Sequence, residues 1–286
     1  MMEAWFLEDQ TDDFGIRIRI KSILHCEFSD YQEIAVYDTF EFGKMLVLDK
    51  ATMFTEKNEF VYHEMLGLIP LFAHEKPERI LVIGGGDGGV VRECLKNPFV
   101  KHIDLVEIDK RVIEVSKKFF PEVAFGLEDK RVKIIPEDGI EFVKRIKLND
   151  REDEKYDVIL VDSTDPIGFA EGLFRRDFYE SVAGSLKNDG IFAAQTESPF
   201  FNEGLIKNIG RIINEIYEKS SLYCATVPIY PGGLWSFTVG SKKYDPKIVN
   251  ESYRGFDFDR HNFKYYSPEI HASSFILPNF ARDILK

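Results

Sequence analysis

Residues 79–89, RILVIGGGDGG, constrain this chain more than any other stretch. An apolar run enters a glycine cluster, and a helical pattern, VVRECLKN, follows at once. A strand that feeds a helix through a turn without side chains is the opening unit of a parallel α/β sheet. Ligands of such sheets bind beyond the carboxyl ends of the strands. The alternation repeats, with strands expected at 103–108, 132–135, 157–162 and 191–196 and helices at 110–120, 139–147 and 175–187. Strands covered by helices on both faces read as continuous apolar runs, as these do. An amphipathic helix over 202–220 and two closing strands, 222–227 and 234–242, complete this part.

The texture before residue 57 is different. In IRIRI, Ile16, Ile18 and Ile20 alternate with Arg17 and Arg19, the period of a half-buried strand. Segments 31–38 and 44–49 continue it, with a turn at 42–44. The expected fold class is therefore α/β: a Rossmann-like, methyltransferase-type parallel sheet (57–286) behind a small N-terminal antiparallel β domain (1–56). Between the two, 58–72 reads as a helix. Phe60, Met65, Leu68 and Leu71 recur along it, and Pro70 and Pro77 mark its end.

A net charge of −12 disfavours nucleic acid as a partner, because phosphate backbones need cationic footprints. It suits attraction of a cationic substrate, although many proteins are acidic for solubility alone. No apolar run nears the roughly 18 residues of a membrane span, and the opening MMEAWFLEDQ lacks a charged-then-apolar signal design. A soluble, cytoplasmic protein is expected. Cys26, Cys94 and Cys224 form no CxxC pair, and the six histidines have no convergent spacing, so no disulfide framework and no metal site is suggested.

Carboxylates follow the expected strands in order. Glu107 lies 21 residues after Gly86, where an acid can accept both ribose hydroxyls. Asp138 follows the next strand, placed for an adenine amino group. Asp87 sits inside the glycine turn. It would repel a pyrophosphate or the carboxylate of S-adenosylmethionine, and it would attract a tail ending in an ammonium, such as that of decarboxylated S-adenosylmethionine. Asp162 and Asp165 lie past the fourth strand. One can take the proton of an amine, which titrates near 10 when unperturbed, and the other can hold a distant ammonium. Each residue has a plainer alternative: Glu107 as a surface acid, Asp87 and Asp138 as helix caps, the last pair as a capping loop.

GGGDGG, VEID, PEDG, DSTDP-x-G, AAQTE and IYPGG, in this order, resemble the polyamine aminopropyltransferases of the spermidine synthase kind. YQEI, NEFVYHEM and KYYSPEIHASSFILPNFA extend the resemblance to nearly the whole chain. It implies aminopropyl transfer from decarboxylated S-adenosylmethionine to putrescine, giving spermidine and methylthioadenosine, with cadaverine, agmatine or a longer polyamine as alternative acceptors. It implies Asp162 as the catalytic base. Gln32, His63, Asp87, Glu107, Asp138 and Gly139 would bind the donor, and Tyr62, Asp165, Gln195 and Tyr230 the acceptor. The donor is a co-substrate, so no cofactor is implied, and a homodimer or homotetramer is. Two departures stand out. Phe169 replaces the family's usual proline after DP-x-G, in a loop expected to close over the nucleoside, and Asn58 replaces an aspartate at an expected helix cap. The competing readings are a methyltransferase using intact S-adenosylmethionine, a non-catalytic nucleoside-binding module and a nicotinamide-dependent oxidoreductase.

Overall fold

The computed structural model describes residues 4–149, 151–165 and 168–286, without the side chains of residues 168 and 169, so the expectation for Phe169 lies outside it. Five antiparallel strands form the first sheet in chain order: β1 (Ala4–Thr11), β2 (Phe14–Phe28), β3 (Glu33–Thr39), β4 (Lys44–Leu48) and β5 (Ala51–Thr55). β1 is absent from the sequence reading because EDQ breaks its alternation. In the fold Phe6 pairs with Ile18 and joins Ile20, Ala35, Met45 and Val47 in one buried layer.

The second sheet has the order β11-β12-β10-β9-β6-β7-β8. Its strands are β6 (Arg79–Gly84), β7 (His102–Val106), β8 (Val132–Ile135), β9 (Tyr156–Asp162), β10 (Leu186–Gln195), β11 (Lys219–Thr226) and β12 (Leu234–Ser241). β6 through β10 are parallel, whereas β12 runs antiparallel to both β10 and β11, so the sheet is mixed. Chain order proceeds from β6 outward to β7 and β8, then returns to β9 on its other side. The switch point therefore lies between β6 and β9, where a crevice opens at the strand ends. Side chains of these strands alternate between two cores. Ile80, Val82, Val158 and Leu160 face one, and Leu81, Ile83, Ile159 and Val161 face the other.

The helices are α1 (Glu59–Ala73), α2 (Gly89–Cys94), α3 (Lys110–Phe119), α4 (Pro121–Ala124), α5 (Gly139–Asn149), α6 (Arg176–Ser185), α7 (Glu203–Ile216), α8 (Pro268–Ser274) and α9 (Asn279–Ile284). Several expected ends move. Ile108 falls past β7, and residues 186–187 and 219–220 belong to strands rather than to the helices before them. Asn58 occupies the N-cap position of α1, but its side chain makes no capping bond.

α1 departs most from the expectation. Pro70 does not end it, and Phe60 is its one residue that is not buried. A helix buried all round belongs to a core, and its ionisable residues Glu59, His63 and Glu64 need partners there. Truncating Leu68 to alanine there would cost about 2–5 kcal/mol. Its last carbonyls need partners in that buried setting. Asn250 donates its backbone N–H to the Phe72 carbonyl at 2.8 Å, and the Tyr253 hydroxyl donates to that of Leu71 at 3.1 Å. Along the same helix, the buried Glu64 carboxylate accepts the backbone N–H groups of Lys264, Tyr265 and Tyr266 at 2.7–2.8 Å. The C-terminal segment is thereby tied onto α1.

Candidate active site

A cleft of about 400 Å³ opens at the switch point, between the ends of β6, β7 and β9, the first sheet and the start of α1. That is enough room for a nucleoside-sized ligand. Gln32, Tyr62, His63, Asp87, Glu107, Asp138, Gly139, Asp162, Asp165 and Tyr230 all line it. Gln195 lies instead in a small annex beyond Asp165, of about 30 Å³, which Glu8 and Trp235 also line.

The glycine turn is shaped as much by its protein neighbours as by any ligand. Gly84 stands opposite Asp162 across β6 and β9, with φ of +77°, and a Cβ there would meet the Asp162 carbonyl oxygen at 2.1 Å. At Gly89 a Cβ would come within 2.2 Å of the His63 imidazole. The last glycine of the motif thus admits a ring from α1 against the first turn of α2.

Three acids are held by backbone N–H donors. Glu107 accepts Gly86 N–H at 3.1 Å and Asp109 N–H at 2.8 Å. Asp87 accepts Gly89 N–H at 2.6 Å, and Asp138 accepts Ile140 N–H at 2.7 Å. The capping role and the pocket-lining role thus coexist, because a carboxylate has two oxygens. Burial raises Glu107 to about 7, although its two N–H donors pull the other way. Gln32 donates its side-chain N–H to Asp109 at 2.9 Å, which fixes the amide at the rim. Gly139 lets α5 begin against β6, since a Cβ there would meet Ile83 at 2.3 Å.

Asp162 is supported differently. Its Oδ1 accepts the Tyr62 hydroxyl at 2.7 Å, and its buried Oδ2 finds no hydrogen-bond partner among the described residues. Burial and the nearby Asp87 carboxylate raise its pKa to about 7, against the opposite pull of His63 and Tyr62. Asp87 itself is held below the usual carboxylate range. Burial opposes that, but the His63 charge and the Gly89 N–H outweigh it. The two aspartates of this pocket thus have pKa values driven apart, so Asp87 stays charged while Asp162 can exchange a proton near neutral pH.

Past Asp162, burial raises Asp165, and burial together with Asp165 raises Glu197 well above its ordinary value. Gln195 donates its side-chain N–H to Glu197 at 3.1 Å and to the Ser163 carbonyl at 3.3 Å, and it accepts Glu197 N–H at 2.9 Å. The Tyr230 hydroxyl donates to the Met53 carbonyl at 2.6 Å, so its proton is already committed. The sequence reading missed Glu197, whose backbone sits at φ +69°, and also Glu59 and Arg92. Glu59 had a signal, its i,i+4 spacing from His63 on a helix.

An acidic cleft at the switch point, with an aspartate in its glycine turn, now has relatives to set beside it. Residues 59–251 match the spermine/spermidine synthase domain, and residues 4–56 match the spermidine synthase tetramerisation domain. The polyamine aminopropyltransferase of Bacillus subtilis (strain 168) is 49% identical over 286 residues, 100% of both chains. That of Shouchella clausii (strain KSM-K16) is 48% identical over 285 residues, again 100% of both. A spermidine synthase solved in complex with the transition state analogue AdoDATO superposes with a TM-score of 0.92 at 38% identity, covering 99% of this chain and 94% of that one. The spermidine synthase from Thermotoga maritima does so at 0.89 and 36%, with the same coverage. Fold, cleft and end-to-end identity converge: the chain belongs to the spermine/spermidine synthase family and is a polyamine aminopropyltransferase.

Proposed function

We propose that the protein moves the aminopropyl group of decarboxylated S-adenosylmethionine onto putrescine, releasing spermidine and methylthioadenosine. The observation that carries this reading is the pair Asp87 and Asp162, which lie with His63 in one cluster of side-chain ligand atoms within 4.8 Å of one another. Asp87 is kept ionised and suits the ammonium of the aminopropyl tail. Asp162, raised to about 7, is the base. An alkylammonium gives up its proton near pH 10 in water, and burial beside a second cation lowers that value.

The step balances simply. The acceptor ammonium passes a proton to Asp162 Oδ2, the oxygen that Tyr62 leaves free. The amine lone pair then attacks the aminopropyl carbon next to sulfur, in line with the leaving group. The carbon–sulfur electrons go to sulfur, which departs as the neutral thioether. Positive charge moves from sulfur to nitrogen between fixed carboxylates, so little has to reorganise. Holding both reactants in one cleft replaces a bimolecular encounter. Glu107 takes the ribose hydroxyls, Asp138 and Gly139 the adenine, and Gln32 and His63 close the donor side. Asp165 and Gln195 hold the distant ammonium, with the Tyr230 ring beside the chain between. The reaction as proposed uses no cofactor, only two cationic co-substrates.

We also propose a homo-oligomer built on the first sheet. Its match to a tetramerisation domain supports this, as do Leu7, Ile23 and Phe28, which are 61–79% exposed on β1 and β2. Such apolar exposure suits an interface. No helix among the described residues is long and apolar enough to cross a membrane, and we place the protein in the cytoplasm.

Methylthioadenosine release should be followed with decarboxylated donor and, separately, putrescine, cadaverine, agmatine and spermidine. Putrescine is expected to give the highest kcat/KM. Release with none of them, or methyl transfer from intact S-adenosylmethionine, overturns the reading.

A further inference from the structure

One buried ionic chain reaches the site from residues that the proposed chemistry does not use. It begins outside the cleft, at Lys96 and Glu93, and runs through Arg92 and Glu59 to His63. Lys96 pairs with Glu93 at 2.6 Å, and Arg92 Nε donates to Glu93 at 2.7 Å. Arg92 then forks onto Glu59, donating to its two oxygens at 3.1 and 2.7 Å. Glu59 faces His63 Nδ1 at 2.6 Å, and His63 Nε2 faces Asp87 Oδ1 at 3.3 Å. Glu59 and His63 are almost wholly excluded from water, and Arg92 is 9% exposed.

Both ring nitrogens of His63 meet carboxylate oxygens. A neutral imidazole has one donor and one acceptor, so one of these contacts would set a lone pair against an anion. Only the doubly protonated ring satisfies both. Glu59 in turn stays ionised, held down to about 2: burial opposes its charge, but His63 and the Arg92 fork outweigh it. The other groups around the ring do not compete. They are Tyr62 from α1, which is bonded to Asp162, Phe54 from β5, the backbone of Gly89, and the Asp162 carboxyl itself.

We infer that Glu59, which does not line the cleft, is a positioning residue: it fixes His63 as an imidazolium against Asp87, so that Asp87 carries the resident negative charge of the pocket and Asp162 is left free to accept a proton. His63 also occupies Asp87 Oδ1 together with the Gly89 N–H, so Asp87 meets the ligand through Oδ2. The inference needs the aminopropyl-transfer reading only for its kinetic readout.

The direct test is nitrogen-15 NMR of His63 in the full-length wild type at pH 8. Two protonated nitrogens are expected, and one bare nitrogen overturns the inference. In Glu59→Gln the ring should lose a proton near neutral pH. Asp162 then loses a neighbouring cation, and the acid limb of kcat/KM should move up by about one pH unit, since a charge at such range shifts a carboxyl by about 1–3. His63→Gln should move the limb likewise, and Glu59→Gln should add nothing to it in the double variant. Lower activity with an unmoved limb, or shifts that add, would mark a merely structural residue. If the NMR result holds and no aminopropyl transfer is found, the ionic chain stands and the functional reading falls.

Discussion

On the proposed assignment the cleft has a donor half and an acceptor half, both lined with acids, yet they are wired differently. On the donor side Asp87, Glu107 and Asp138 each accept backbone N–H groups of the turn beside them. The main chain fixes their oxygens, and only Asp87 also meets a side chain, that of His63. On the acceptor side Asp162 leans on a tyrosine hydroxyl from a residue 100 positions away, and Asp165 lies against Glu197. Burial raises all three acceptor-side carboxyls, and on the donor side Glu107 alone. A half that only recognises a constant nucleoside gains from a preset frame. A half that moves protons needs acids whose charge is easily changed, which support from one side-chain hydroxyl and no main-chain donor gives Asp162.

That contrast can be broken at several points. The largest effect is expected at the proposed base, Asp162. Asp162→Asn should lower kcat by about 10²- to 10⁴-fold while calorimetry shows methylthioadenosine still bound, because the donor frame is untouched. Loss of nucleoside binding in that variant would mean that the halves are not separable. Next come two milder changes that should diverge. Tyr62→Phe removes the hydroxyl that stabilises ionised Asp162, so the acid limb of kcat/KM should move to higher pH, with about a tenfold loss at pH 7. Asp138→Asn should raise the donor KM several-fold with the limb unmoved, the mark of lost uniform binding. Equal pH shifts in the two would erase the distinction.

The smallest effect is on stability. Asp162 titrates near 3.8 when unperturbed and near 7 in the fold. The native state therefore binds this proton more tightly than the unfolded chain does. The stability it contributes is complete below 3.8 and is lost as pH rises to about 7. Asparagine cannot ionise, so ligand-free Asp162→Asn should melt about 2–4 °C above wild type at pH 8, with no such gain at low pH, where both side chains are neutral. Calorimetric scans at the two pH values check the sign.

Legibility in the sequence followed the same division. Asp87, Glu107 and Asp138 could be found because each sits in or just past a turn whose pattern is local. The alternation that revealed β6 to β10 is local as well. What stayed hidden was long-range. Nothing in the order of residues pairs Tyr62 with Asp162, or directs the Tyr230 hydroxyl to Met53. The annex that takes Glu8 and Gln195 exists only because β1 folds over it, and β1 carries too weak an alternation to be seen. The helix over 58–72 was visible, but its orientation was not. Spacing marks one inward face, whereas all of α1 except the half-buried Phe60 is buried.

The tie between Glu64 and the backbone of residues 264–266 bears on how the protein is born. α1 carries Tyr62, His63 and Glu59, yet its neighbouring carboxylate waits for donors encoded some two hundred positions later. A ribosome-bound chain lacking that tail would hold an unpaired anion among apolar side chains. Chemistry should therefore await residues 264–266, and copies terminated before them should be inert.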